Sequence, residues 1–501
     1  MTGMQRPHDT FGIGVALVLG LGACGSEGTV APRPSIDVSP LQLSPAFSPD
    51  VHDYVVPCAA GDNQVALRVT NPAAGWTVSL VAPQSLSIGA QPTSLTLRED
   101  QAAVVQATNG RDTERYWIRC LPHDFPRVAV NAHTDKGKTT PGYYLFGNGI
   151  VPTGKSDPAY GFAMVVDANG TPVWYHRVDA AGAMNVDLQP GGTISFIRAL
   201  GPFGMDPTAK YVLQTLSPWG SRSLAAVGAP TDEHELKALP NGHFLTLTYA
   251  QLAGVDLTGV KELGPNSTIA DCVVEELDPE GSLVWQWRAS DHVDPVEETT
   301  DVGTYQIGGQ TVYDVYHCNS VEPDADENVM VSARHMDSVF LIDRESGKIL
   351  WKVGGPQYSK DGAQLVRIVG DKENGFFHQH DARFQPNGDI SLFDDHTTAP
   401  GVARGVQYRL DLEEGTATLV WHYDGAFPSA ATGSFRRYAD GSNVIAWGYS
   451  SHEPVLSEVD DAGNDLLDMF FEQGGNYSYR VVKVPPSALD LDVLRATAGL
   501  P

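Results

Sequence analysis

The sequence predicts an all-β protein, a six-bladed β-propeller preceded by a small N-terminal β-sandwich. Three observations lead there. A tryptophan-bearing hairpin recurs along the chain: "DANGTPVWYH" with Trp174, "DPEGSLVWQW" with Trp285, "RESGKILWKV" with Trp351 and "LEEGTATLVWHY" with Trp421. It alternates with a turn leading into an apolar strand, in "QPGGTISFI", "LPNGHFLTLTY", "QPNGDISLFDD" and "YADGSNVIAWGY". Each unit is too small to bury its own face, so the copies must stack, and radial stacking of four-stranded sheets is a propeller. Helix is scarce, with only "PPSALDLDVLRATAG" carrying a weak helical period, while 51 glycines and 34 prolines suit short strands joined by tight turns.

At the N-terminus, Arg6 is the only Lys or Arg before the apolar run "FGIGVALVLGLGAC" (residues 11–24), which is too short to span a bilayer as a mature helix. The run ends in Leu21-Gly22-Ala23-Cys24, which resembles a bacterial lipoprotein cleavage box. That resemblance implies loss of residues 1–23, a lipid on Cys24, and anchoring at the periplasmic side or surface of the bacterial outer membrane. An ordinary secretory signal is the alternative, and export follows from both. Cys58, Cys120, Cys272 and Cys318 then form an even set in an oxidising compartment.

Residues 24–35 form a tether containing "GSEGTVAPRPS". In residues 36–122, "YVV", "QVALRVT", "WTVSLVA", "SLTLRED", "AAVVQAT" and "RYWIRC" read as sandwich strands between turn residues. The stretch "LQLSPAFSPDVHDYVV" resembles the cadherin-like modules of bacterial surface proteins. Cys58 and Cys120 close equivalent strand ends and are expected to pair. Residues 125–501 suit six blades better than seven or eight once insertions are allowed. The formal charge of −28 repels phosphate backbones and anionic membranes, so no nucleic-acid partner is expected, and the membrane is met only through the lipid. An anionic small substrate would need a local cationic cluster.

Such a cluster is legible. "TDEHELKALPNGHFLTL" places His234 before the turn and strand of its blade. "YDVYHCNSVEP" sets His317 inside an apolar run, with Asn319 two residues on. "NVMVSARHMDSVFLI" puts Arg334 at the end of a strand, and "FFHQHDARF" supplies His378 and His380. Each interrupts sequence that should be core, where an unsatisfied polar group is costly. Four such sites from different blades would converge at the mouth of one channel. If the segments are extended, His317 shares a face with Asn319, and His378 shares one with His380. Cys318 would then face away toward Cys272, either bonded to it or as one of two buried thiols.

The blocks "YHCNS", "VSARHMDSVFLIDRESGKILWKVGG" and "HQHDARFQPNGDISLFDDH" resemble, in order, the PAPS-independent bacterial arylsulfate sulfotransferases, and the likeness runs from about Pro141 to Tyr479. The resemblance implies ping-pong transfer of a sulfuryl group from a phenolic sulfate to a phenol, with His380 as the nucleophile and His317, Arg334 and His234 completing the site. Asn319 and His378 become substrate-binding candidates. No cofactor or metal is implied, and a homodimer, as in relatives, is compatible. Sulfuryl transfer resembles phosphoryl transfer: its loose transition state asks for a nucleophile, cationic donors for three oxygens and an acid for the leaving phenolate.

Two rival readings stand beside this one. The histidines suit Zn²⁺ or Cu²⁺, as in a metal-dependent propeller hydrolase, or the chain is a non-enzymatic ligand-binding propeller at the cell surface. "DADEN" (residues 324–328) reads as a solvated turn rather than a Ca²⁺ loop. Tyr143, Tyr144 and Trp447 read as blade packing rather than as an aryl platform.

Overall fold

The computed structural model describes residues 33–70, 74–150, 160–199, 206–449 and 454–500. Cys24 and the expected leader lie outside the described residues. The protein is all-β, and no helix among the described residues is long and apolar enough to cross a membrane.

Two sheets form first. One runs Ser35–Ser39, Asp62–Thr70, Thr93–Arg98; the other runs Asp53–Pro57, Thr113–Leu121, Ala102–Thr108, Thr77–Ala82, Leu86–Ser87. Alternating apolar residues from both, among them Ile36, Leu67 and Leu97 against Val56, Leu80 and Val105, fill one shared core. Cys58 and Cys120 are disulfide-bonded, with Cα atoms 5.5 Å apart.

From Val128 onward, antiparallel strands follow in consecutive groups. Ala183–Gln189 opens a group completed by Thr193–Arg198, Tyr211–Leu216 and Trp219–Leu224. Thr231–Ala238 opens the next with Phe244–Val255, Ser267–Leu277 and Leu283–Arg288, and Cys318–Pro323 the one after with Val329–Ala333, Ser338–Ile342 and Ile349–Gly354. His380–Phe384 leads Ile390–Asp394, Arg404–Asp411 and Thr416–Asp424, and Ser434–Arg437 leads Asn443–Ala446, Leu456–Val459 and Asp465–Phe471. Each opening strand packs on the opening strand of the next group, and Val481–Val484 packs on Ala183–Gln189.

Trp285, Trp351 and Trp421 lie on the last strand of their groups, and Trp174 lies on Pro172–Val178, at the edge of its own sheet. The "PNG" turns need a left-handed residue, which Gly242 (φ +87°) and Gly388 (φ +85°) supply. Two closures finish the arrangement. The early strand Val128–Ala132 pairs with Asp465–Phe471, and the late strand Val481–Val484 pairs with Tyr143–Gly147.

The weak helical period becomes the short helix Leu491–Thr497. It docks on the N-terminal sheets, where Arg495 pairs with Asp53 at 2.6 Å and Arg119 donates to the carbonyls of Arg495 (2.6 Å) and Ala498 (3.2 Å).

Beneath the site lies a buried ionic floor. Asp381 accepts from Arg383 and Arg436, each at 2.7 Å, and lies 3.1 Å from Nε of Arg480, while Glu235 accepts from Arg480 at 2.8 Å and also pairs with Arg383. Burial alone would raise the Asp381 carboxyl, but Arg436, Arg383 and Arg480 outweigh it and hold the group well below the usual carboxylate range. A closed network of this kind is costly to break, because any orphaned member stays buried and charged.

Candidate active site

The opening strands are irregular where they enter the centre of the molecule. Ala183–Gln189, Thr231–Ala238, Cys318–Pro323 and His380–Phe384 all slip register against their neighbours. The slip is largest in Thr231–Ala238. Thr231 faces Thr248 and Leu236 faces Thr246, so residues 232–235 oppose Leu247 alone. Bulges break the in–out alternation and re-aim side chains, which is why they gather beside active sites. His317 (φ +50°), His378 (φ +57°) and Asp381 (φ +56°) are left-handed, a costly state for side chains of this size that the surrounding packing must enforce.

Three buried histidines meet here. Ring centroids of His234 and His317 lie 5.0 Å apart, those of His234 and His380 6.3 Å, and those of His317 and His380 6.5 Å. Each ring turns Nδ1 to its own aspartate: His234 to Asp232 at 2.8 Å, His317 to Asp314 at 2.5 Å, His380 to Asp395 at 3.2 Å. With Nδ1 occupied, Nε2 is the nitrogen left for chemistry, and one ring nitrogen of each histidine lies within 4.8 Å of the others.

The three rings differ in charge. Burial drives His380 well below its ordinary value, helped by the nearby charges of Arg334 and His234, and does the same to His317. Burial also pulls on His234, but Asp232 outweighs it and the net shift is upward. The Asp395 carboxyl is pushed well above its usual range by burial, against the opposing pull of Arg334. The site therefore holds two neutral imidazoles and one that favours the cation.

Arg334 begins a 3₁₀ turn, Arg334–Met336, directly after Val329–Ala333. Its guanidinium donates to His335 Nε2 at 3.0 Å and to the Ala430 carbonyl at 3.2 Å, and its Nε lies 3.9 Å from Asp395. That Nε is buried without a hydrogen-bond partner, as is Oδ1 of Asn319. Unsatisfied polar atoms of this kind, grouped at one place, are what a polar ligand would satisfy.

Other expectations are sorted by the backbone. His317 precedes the strand Cys318–Pro323 in a left-handed conformation, so the alternation that would align it with Asn319 does not apply. Asn319 instead donates to the Gln379 carbonyl at 2.7 Å. His378 likewise lies outside the strand that starts at His380 and is left-handed, so it does not follow His380's direction. Its ring lies 5.7 Å from that of His335 and 3.6 Å from Asp301, with both nitrogens buried and unbonded. Burial, with Arg334 adding to it, lowers His378 to about 3.

Tyr144 is wholly buried and donates to Glu458 at 2.6 Å; Trp447 donates to Ser457 at 2.9 Å, and Tyr143 packs on the core. All three are packing residues. Residues 324–328 form a turn in which the Asp324 carboxylate accepts from the backbone of Asp326 and Asn328, each at 2.9 Å. Cys272 and Cys318 are bonded, with Cα atoms 6.0 Å apart, fixing the residue after His317 to the neighbouring strand.

Residues 129–480 match the arylsulfotransferase (ASST) family. The chain belongs to this family. It is similar to the arylsulfate sulfotransferase AssT of Escherichia coli O6:H1 (strain CFT073), with 24% identity over 216 residues, which is 34% of this chain and 36% of that protein. The chain thus spans about a third of the curated relative it matches. Among solved structures it is similar to a Bacteroides caccae protein of unknown function (TM-score 0.39, 14% identity, covering 69% of this chain and 99% of that one). Another is apo AztD from Citrobacter koseri (TM-score 0.33, 11% identity, covering 69% and 99%). The arylsulfotransferase match contains the whole histidine cluster and Arg334.

Among the described residues, three groups have the spacing to hold a metal ion: His234, His317 and His380; Asp314, His317 and His335; and His133, Asp465 and Asp468. In the first group each histidine is backed by a carboxylate, as metal-ligating histidines commonly are.

Reading the sequence for histidines missed their partners Asp232, Asp314 and Asp395, and also His335. The signal was present for two of them, since an aspartate stands two residues before His234 and three before His317. Asp395 reaches His380 across a strand pair, and spacing alone does not reveal it.

Proposed function

We propose that this arylsulfotransferase-family chain moves a sulfuryl group from an aryl sulfate to a phenol, without PAPS, through a sulfohistidine on His380. The observation that carries the reading is the convergence of three carboxylate-backed histidines beside Arg334. A neutral His380 with Nδ1–H on Asp395 offers the Nε2 lone pair. That pair forms an N–S bond as the S–O bond to the aryl oxygen breaks, leaving a phenol once a proton is supplied. The resulting N-sulfoimidazolium donates from Nδ1 to Asp395. In the second half, a phenol oxygen attacks sulfur, loses its proton, and the N–S electrons return to Nε2. Arg334 and the His234 cation face the charge that spreads over the sulfuryl oxygens. They form the local positive cluster that an anionic substrate needs on a protein of net charge −28.

The architecture proposed around this site is a six-bladed propeller, supported by the successive packing of opening strands and the double closure. The N-terminal sheets form a cadherin-like sandwich over residues 36–122. Cys24 carries the lipid that holds the protein at the outer membrane, and the sandwich offers a surface for a homodimer.

The test is to incubate the protein with an aryl sulfate and no acceptor, then map the adduct under mildly alkaline conditions. The adduct is expected on the Phe376–Arg383 peptide. His380→Asn abolishes adduct and turnover, whereas His378→Asn keeps a measurable part of both. Continued exchange of sulfate between phenols by His380→Asn overturns the covalent route.

A second reading rests on the same three histidines, whose spacing and carboxylate backing also suit Zn²⁺ in a metal-dependent hydrolase. The guanidinium of Arg334 in the same cluster opposes a dication there. Stoichiometric metal in the purified protein, with activity lost to chelation and restored by metal, would favour this alternative.

A further inference from the structure

Arg334 is held in an unusual way. It is 8% exposed, yet among the described residues no carboxylate lies within hydrogen-bond distance of it, Asp395 being 3.9 Å from its Nε. Buried charges are ordinarily paired. The groups that hold this one are neutral. Nη1 donates to His335 Nε2 at 3.0 Å, and Nη2 donates to Thr397 Oγ1 at 3.3 Å and to the Ala430 carbonyl at 3.2 Å. A bonded carboxylate would cancel the charge, whereas neutral acceptors fix the direction of the guanidinium and leave its charge for an incoming anion.

The three acceptors are not equivalent. Thr397 and Ala430 are exposed, so water can stand in for either. His335 is 4% exposed and has no such substitute.

The His335 ring is fixed from both ends. Its Nδ1 meets the Asp314 carbonyl oxygen at 2.7 Å. A carbonyl only accepts, so Nδ1 carries the hydrogen; a guanidinium only donates, so Nε2 offers the lone pair. Both demands are met by one tautomer. The backbone is tied as well: the Thr300 N–H, the Thr300 hydroxyl and the Asp301 N–H all donate to the His335 carbonyl, at 2.8, 3.0 and 3.2 Å. Asp314 therefore sets two groups at once. Its carboxylate holds His317, and its carbonyl holds His335 and, through it, Arg334. The His335 ring also packs on that of His317 at 4.7 Å, so a role in packing alone is the rival.

We propose, resting on the sulfuryl-transfer reading above, that His335 is a positioning residue that aims the Arg334 guanidinium at the sulfuryl oxygens. It touches no reacting atom. By holding Nη1 it keeps Nε on the side of Asp395, whose carboxylate lies 3.0 Å from His380 Nδ1. Nε is buried there without a hydrogen-bond partner, as a donor reserved for an anion would be.

The test uses the two amides that copy one half of the ring each. Asparagine places its amide nitrogen where Nδ1 stands and keeps the bond to the Asp314 carbonyl, but has no acceptor for Arg334. Glutamine reaches the position of Nε2 and keeps that acceptor. With 4-nitrophenyl sulfate and phenol, His335→Asn is expected to lower kcat by about tenfold or more while KM changes by less than about threefold. His335→Gln is expected to recover kcat to within about threefold of the parent. In an Arg334→Ala background His335→Asn is expected to cost nothing further, because the residue it aims is gone. Where the asparagine variant fails to fold, His335→Leu, of similar volume, replaces it with the same expected losses. Equal losses from the asparagine and glutamine variants, no loss from the asparagine variant, or an undiminished loss in the Arg334→Ala background overturns the assignment while the sulfuryl-transfer reading stands. A parent protein that transfers from no aryl sulfate defeats that reading itself.

Discussion

Replacing Asp395 with asparagine isolates the pairing that prepares His380. Asp395 lies 3.2 Å from Nδ1 and is wholly buried, so no solvent takes over its hydrogen bond. The proposed sulfohistidine step makes that contact charge-assisted, and a hydrogen bond to a charged group contributes about 1.5–3 kcal/mol. At about 1.4 kcal/mol per decade, adduct formation in Asp395→Asn should slow by roughly 10- to 150-fold. The sign of the pH effect follows from burial, which raises the Asp395 carboxyl well above its usual range. Below that raised value the extra proton sits on the Asp395 carboxyl, which then no longer offers a charged acceptor to the imidazolium that forms on His380. The rate is therefore low in acid, rises as the pair loses its proton, and is full above it. The assay is rapid-mixing release of a chromogenic phenol without acceptor, from pH 5 to 10. The parent protein should show a rising limb, and Asp395→Asn a flatter and lower profile. A variant with the parent's limb and burst rate would refute the role given to Asp395.

Arg334→Ala should lower kcat by more than about tenfold, a loss of about 1.4 kcal/mol, because its contacts strengthen as charge spreads over sulfur; a rise in KM alone would make it a docking residue. Cys58 and Cys120 should be recovered as one disulfide-linked peptide pair, and removing the bond should cost a few kcal/mol in the N-terminal sheets while turnover survives. Removing the Cys272–Cys318 bond should lower turnover instead, since it anchors the residue after His317; steady-state rates of the two variants separate the cases. Glu233 rises from 4.5 to about 7 on folding, so its contribution falls as pH climbs through that window, by about 3 kcal/mol at most. Glu233→Gln should therefore gain melting temperature at pH 8 and little at pH 4.

The sequence was most informative where periodicity governs. The turn residues of "LPNG" and "QPNG" and the recurring tryptophan-bearing hairpins fall where their patterns indicate. It was least informative where alternation fails. His317 and His378 looked like strand residues, but both are left-handed, and a left-handed residue sends its side chain where a period of two does not. The bulge at residues 232–235 buries four ionisable groups together, and only the partners across the sheet decide which side chain goes where. Asp395 is likewise a product of tertiary pairing, fifteen residues from His380 in sequence and in contact with it through adjoining strands.

The double closure also constrains how the molecule is made. Lys483 bonds Thr140 and Asp468 bonds His133, contacts that span 343 and 335 positions. Until residues 465–484 have been synthesised, Val128–Ala132 and Tyr143–Gly147 each lack a strand neighbour, and their unpaired edges are open to other chains. Loop closure over such distances is entropically slow, so assembly of these sheets should be rate-limited by the arrival and docking of the last strands. The nascent polypeptide is then most prone to aggregate late in its synthesis, and a binder that covers Tyr143–Gly147 would arrest maturation without ever touching the histidines.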